Sequence, residues 1–180
     1  YMTSDNPNNT VIEIDKICFE TLLPEQNYQI PKYKEETSIK LGFRITNNSS
    51  IPYRFDLPTF EPEISTSDGE EIKMSWGRNA TIIPEDCHVP FIPSGESLEF
   101  YFYNPIFFWS PRKEIGFRGY SNYGGIWLFY AFQTGAYNIR MRYKKTRPVK
   151  EVKLGFESLK KYDGFWVGEV FTPLKKLYLR

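Results

Sequence analysis

A chain of 180 residues, 41% of them hydrophobic, can fill one sizeable core or at most two small ones. Its formal net charge of +1 gives no whole-molecule field that would select a nucleic acid or a charged surface. The 18% aromatic content, with 13 Pro and 12 Gly spread as punctuation, favours many short strands over long helices.

Residues 1–10 are polar and read as a flexible tail, ahead of a single domain over residues 11–180. The first residue is Tyr1. If it is a cloning remnant before Met2, the expected compartment is the cytoplasm; if a leader has been removed, the protein is exported. No apolar run approaches the roughly 18 residues of a membrane-spanning helix. Val11–Glu20 alternates with Ile12 and Ile14, then Ile17 and Phe19, facing inward, and the change of parity at Asp15–Ile17 predicts a bulge. Leu23–Glu36 carries Pro24 and Pro31 and reads as a loop or edge excursion. Ser38–Asn47 is a clear strand, with Ile39, Leu41, Phe43 and Ile45 on one side and Lys40, Arg44 and Thr46 on the other.

Asn47–Ser50 is a turn, because Asn tolerates positive φ and both Asn and Ser bond locally to backbone. Ile51–Leu57 follows as a strand, and Pro58 and Pro62 confine the next segment to an edge or a change of sheet. Asp68-Gly69, between Glu63–Thr66 and Glu71–Trp76, is a hairpin signal. Ile82–Pro93 is broken by prolines and crosses between sheets. Leu98–Trp109 is a long alternating run, whereas Ser110–Gly125, with its glycines and Arg112, Lys113 and Arg118, is the least sheet-like part. Trp127–Phe132 leads into Gly135–Tyr143. There Tyr137, Ile139, Met141 and Tyr143 alternate with Asn138, Arg140 and Arg142, as suits a central strand with one wet face. Lys144–Gly164 reads as a long hairpin excursion with a helical turn near Phe156–Lys161, and Phe165–Phe171 and Lys175–Leu179 close the sheet. The expected fold is an all-β antiparallel sandwich of about nine or ten strands with long loop excursions. The absence of a fixed sequence period argues against propellers and solenoids.

The segments Thr46–Pro52, Ser67-Asp68-Gly69, Pro93-Ser94-Gly95-Glu96, Gly135-Ala136-Tyr137 and Trp166–Val170 occur in that order. Together they resemble a bacterial immunoglobulin-like sandwich, and the punctuation is similar to that of the BsuPI-type intracellular proteinase inhibitor. The resemblance covers roughly residues 38–180 and departs from that module at 104–125 and 144–164. It implies an immunoglobulin-like topology and protease inhibition, with no contact residue that carries over. It also implies a structural role for Tyr137, whose hydroxyl would bond back to nearby backbone as in a tyrosine corner.

Chemistry is sparsely represented. His88 is the sole histidine, and its neighbours Glu85, Asp86 and Cys87 form a local acid, thiol and imidazole set. Adjacent side chains on an extended segment point apart, so Cys87 and His88 make a poor nucleophile–base pair, and no enzyme is expected. Neither a CxxC nor an HxxxH pair is present, and Asp68-Gly69-Glu70-Glu71 lacks calcium-loop spacing, so no metal or other cofactor is expected. Two cysteines, Cys18 and Cys87, are no disulfide framework; a buried free pair and a single bridge both stay open.

The candidate site is the aromatic and glycine-rich loop 104–125. Trp, Tyr and Arg dominate binding hot spots, and Trp109, Arg112, Arg118, Tyr120 and Tyr123 are the expected contact residues. The competing reading has Phe107, Phe108, Trp109 and Phe117 covering an open end of the sandwich. Residues 140–180 hold 12 basic and 4 acidic groups, against 11 and 18 in residues 1–139, which is either a solvated lysine-rich hairpin or a secondary contact for an acidic partner. The sequence therefore predicts a non-enzymatic protein-interaction module with no nucleic-acid partner, and the resemblance implies an inhibitor-like activity for it. Its alternatives are a carbohydrate-binding sandwich, through stacking on sugar rings, and an accessory subunit of a larger assembly. The oligomeric state stays open.

Overall fold

A computed structural model of the protein describes residues 10–78, 85–121, 125–154 and 158–180. Its longest strand is Gly135–Lys145, of 11 residues, and the alternation read from the sequence holds along it. Tyr137, Ile139, Met141 and Tyr143 are buried, while Asn138, Arg140 and Arg142 line the outward side. The strand lies inside sheet II, where Glu61–Thr66 pairs along one edge and Lys175–Leu179, then Gly168–Phe171, along the other. The hydroxyl of Tyr137 donates to the Gln133 carbonyl at 3.0 Å and accepts the Gln133 N–H at 2.9 Å, so it pins the strand's entry to the preceding turn as expected. Glu71–Ile72 continues sheet II beyond Glu61–Thr66 through the Asp68-Gly69 turn, with Gly69 at φ +86°.

Sheet I has the order Ile12–Ile14, Ile17–Leu22, Gly42–Asn47 and Ser97–Tyr101. Sheet III has the order Glu36–Ser38, Tyr103–Trp109, Ile115–Tyr120, Gly125–Phe132 and Met74–Arg78. Pairing is antiparallel throughout these three sheets except between Lys175–Leu179 and Asn27–Tyr28 at the edge of sheet II. Their inner faces share one core. Phe43 of sheet I stacks on Phe60 with centroids 3.8 Å apart, and Phe60 stacks on Tyr143 of sheet II at 4.5 Å. Phe132 of sheet III meets Tyr137 of sheet II at 5.1 Å. Offset and edge-on rings of this kind add to the stabilisation from apolar burial.

The protein is all-β as expected, but its strands are shorter and more numerous than nine or ten, because continuous apolar runs are cut at defined points. The parity change at Asp15–Ile17 is a two-residue hairpin turn and not a bulge. Asp15 and Lys16 sit at φ 53° and 62°, and Ile14 pairs with Ile17. Two successive left-handed residues match the twist of a tight hairpin, and Asp tolerates that conformation. Leu98–Trp109 is divided between sheets I and III, where Phe102 turns into the core and Asn104 takes φ 48° before Pro105. Glu71–Arg78 likewise passes from sheet II to sheet III at Lys73. The tail at residues 1–9 lies outside the described residues.

Asn47 joins two of the turns read from the sequence. Fully buried, it donates through Nδ2 to the carbonyls of Ile51 and Ile92 at 2.8 and 2.9 Å, and its Oδ1 accepts from the Ser49 N–H and hydroxyl. A buried amide satisfied on both ends fixes register where apolar packing alone would not.

Candidate functional site

The segment 104–125, read as a loop, is largely a β-hairpin. Tyr103–Trp109 pairs with Ile115–Tyr120, and the turn between them closes through Lys113 N–H to the Ser110 carbonyl at 2.9 Å and Ser110 N–H to the Glu114 carbonyl at 2.8 Å. Phe107 and Phe117 stack at 4.6 Å with no exposure and lie within the core, whereas Phe108, expected to cover it with them, is on the other side of the hairpin. The reading of Ser110–Gly125 as the least sheet-like part is corrected for residues 115–120. Two glycines had masked a period of two. A Cβ at Gly116 would meet Cζ of Phe108 at 2.7 Å, and one at Gly119 would meet Cζ2 of Trp127 at 2.2 Å. Each glycine makes room for a ring from the neighbouring strand, and the alternation continues through it.

Outward on sheet III the alternation leaves an apolar, aromatic face. Phe108 lies over Gly116, Tyr130 approaches Phe108 edge-on at 6.3 Å, and Tyr103 leans on Tyr120 at 6.1 Å. Directly across from Arg118 stand Ile106 on one side and Leu128 on the other, and Ile126 stands across from Tyr120. Tyr103 is 75% exposed. The guanidinium of Arg118 lies 5.0 Å from the centroid of Phe108, and its Nη2 is 3.5 Å from Oε1 of Glu36 on the edge strand. Its Nε is closed to solvent and has no acceptor among the described residues.

The structure brings Arg118 and Tyr120 together on this face, and it separates the other expected contacts from them. Trp109 pairs with Ile115 on the core side, donates its Nε1–H to the Pro31 carbonyl at 2.6 Å and meets Tyr33 edge-on at 6.2 Å. Arg112 is exposed at the hairpin turn. Tyr123 lies outside the described residues. Tyr103, Leu128 and Tyr130 complete the face and were not singled out from the sequence. Their signal was strand parity with Arg118, legible only once the hairpin register is known.

The basic excursion is a docked hairpin, Lys150–Leu154 against Ser158–Tyr162, so the helical turn expected near Phe156–Lys161 is replaced by strand over residues 158–161. Residues 156 and 157 of that expected turn lie outside the described residues. The inner side of the hairpin forms a small core with Val89 and Phe165 through Val152 and Tyr162. Buried Asp56 receives Lys145 at 3.1 Å and Lys150 at 2.9 Å. Asp86 accepts from Lys160 at 2.6 Å and from the Tyr162 hydroxyl at 2.8 Å, and these bonds hold its carboxyl below the ordinary Asp range. Arg54 sits between the rings of Phe91 at 3.9 Å and Tyr162 at 5.1 Å and donates to the carbonyls of Val89 and Asp163. Glu151, Lys153, Leu159 and Lys161 face outward.

His88 is committed to local structure, since its Nδ1 accepts the Glu85 N–H at 2.8 Å and caps the short Asp86–His88 turn. Both cysteines are free. Cys87 is exposed, and Cys18, half-buried, has its thiol pKa raised by burial and by nearby Glu13. Among the described residues no group of His, Cys, Asp and Glu is arranged to hold a metal ion, and no helix is long and apolar enough to cross a membrane.

No protein-family model matches the chain, and a search of curated proteins finds no match. Among solved structures, a "putative lipoprotein (ycdA)" from Bacillus subtilis aligns over 87% of this chain and 39% of its own, with 12% identity and a TM-score of 0.33. The chain thus spans well under half the length of that protein.

Proposed function

We propose that this protein is a non-enzymatic interaction module whose contact surface is the outward face of sheet III. The observation that carries the reading is the composition of that face: Tyr103, Phe108, Tyr120, Leu128 and Tyr130 share it with an arginine whose Nε has no hydrogen-bond partner among the described residues. Aromatic and Arg side chains are the residue types that anchor protein interfaces, and scattered single apolar residues would not form a continuous surface. The outward side of the basic hairpin is a secondary contact. An immunoglobulin-like, inhibitor-like assignment is the narrower form of this reading, and it rests on turn punctuation alone.

The test uses the protein as bait in three forms beside wild type: Tyr103→Ala, Arg118→Ala, and Arg44→Ala as a control on sheet I. Binding proteins retained by wild type and the control, but lost from the other two at unchanged Tm, support the reading. Equal loss from all three, or from none, removes sheet III as the contact surface. The exposed ring of Tyr103 favours carbohydrate as a second reading, through stacking on a sugar face. A glycan array without signal eliminates it.

A further inference from the structure

Among the arginines whose side chains are described on the sheet faces, Arg118 differs from the others in one respect. Arg44, Arg140 and Arg142 each hydrogen-bond a carboxylate, at 2.5, 2.9 and 3.0 Å, and Arg54 donates to two carbonyls. Among the described residues Arg118 has only the carboxylate of Glu36, whose nearest oxygen at 3.5 Å lies beyond a good charge-assisted bond. An aromatic ring lies alongside its guanidinium and apolar side chains stand across from it on both neighbouring strands, so part of its hydration is lost without replacement. A cation in that state gains most from an acceptor that arrives together with apolar surface, because the terminal nitrogens gain a charge-assisted bond while the same event excludes the remaining water.

Building on the interaction-module reading, we propose that this face receives an acidic side chain of a partner protein, flanked by apolar residues. Arg118 binds the carboxylate through its outward-facing terminal nitrogens. The rings of Phe108, Tyr120 and Tyr130 take the flanking apolar groups. Glu36 is an internal competitor: it stands on an edge strand, 55% exposed, close enough to weaken the site's pull on loose anions and far enough to be displaced. A stronger internal pair would have closed the site, as Glu20 and Glu99 close Arg44.

The proposal is tested by NMR titration of the ¹⁵N-labelled full chain with two capped tripeptides, Ac-Leu-Glu-Leu-NH₂ and Ac-Leu-Gln-Leu-NH₂. The Glu peptide is expected to shift the Arg118 Nε–H signal and the amides of residues 116–120 saturably, and to bind about tenfold tighter than the Gln peptide. Glu36→Gln is expected to tighten the Glu peptide several-fold, and Arg118→Lys to weaken it, since an ammonium cannot present two parallel donors. Equal binding of the two peptides overturns the proposal, as does an Arg44 Nε–H shift equal to that of Arg118, which marks unspecific anion binding. Binding of Ac-Leu-Leu-OH without binding of the Glu peptide also overturns it, by pointing to a chain terminus. Each of these three failures leaves the bait experiment to decide separately whether the face contacts a protein.

Discussion

Arg44 on sheet I and Arg118 on sheet III occupy similar positions, outward on inner strands, with 37% and 33% of the side chain exposed. Their neighbours differ. In register beside Arg44 stand Glu20 and Glu99, and the guanidinium bonds both. In register beside Arg118 stand Ile106 and Leu128. Since exposure is nearly equal, the contrast lies in cross-strand pairing and not in burial. The first arrangement satisfies a charge within the chain and leaves a polar face; the second leaves a charge under-satisfied on an apolar one. Sheet II follows the first pattern, with Arg140 on Glu63 and Arg142 on Glu169, both also close to the ring of Phe171.

Each of the two sheets packs closely at a glycine, so the severest way to break the contrast is through those glycines. A Cβ at Gly42 would lie 2.0 Å from the Phe100 carbonyl oxygen, and backbone cannot yield as a side chain can. Gly42→Ala is expected to destabilise by about 3 kcal/mol or more and to disturb both faces, because Leu98–Trp109 runs through both sheets. Gly119→Ala collides with the buried Trp127 indole instead and is expected to remove about 2 kcal/mol, shifting Arg118 and leaving Arg44 in place. Thermal unfolding gives both magnitudes, and the two arginine Nε–H signals report which face has moved.

The arginines themselves sharpen the comparison. Arg44→Ala is expected to lower stability by about 1 kcal/mol, near the upper range for partly exposed pairs, with no effect on partner capture. Arg118→Ala is expected to change stability by only about 0.5 kcal/mol, the scale of an exposed cation–π contact, while abolishing capture. If the two effects are reversed, the faces have been assigned the wrong way round. The smallest expected stability effect is that of Tyr103→Ser, within about 0.5 kcal/mol of zero at this exposed position, with capture weakened. A Tm drop of several degrees there would mean that Tyr103 supports the sheet and does not serve contact.

The fold class was legible because alternation is a local property. Gly135–Tyr143 and Ser38–Asn47 state their inner and outer faces in their own residues, and Asp68-Gly69 and Pro93–Glu96 mark turns by conformational preference. The hydroxyl bond of Tyr137 was expected only from the immunoglobulin-like resemblance, and its partner Gln133 lies four residues away. The 104–125 segment was only half legible. The aromatic and Arg residues suggested a contact surface, but glycines at 116 and 119 hid a strand whose missing side-chain volume is supplied by Phe108 and Trp127 from adjacent strands. Trp109 and Arg118 therefore looked alike in sequence, yet they point to opposite sides of one hairpin.

By itself the amino-acid sequence determined an all-β chain, its principal turns, and which side of each alternating strand is apolar, since these follow from backbone preference and the two-residue pleat. Tertiary structure alone decided where long apolar runs change sheets, and which charges meet across strands. It also placed Arg118 between Ile106 and Leu128 while Arg44 lies between two glutamates. Cross-strand neighbours are brought together by register over separations of tens of residues, and register is fixed by the packing of the whole core.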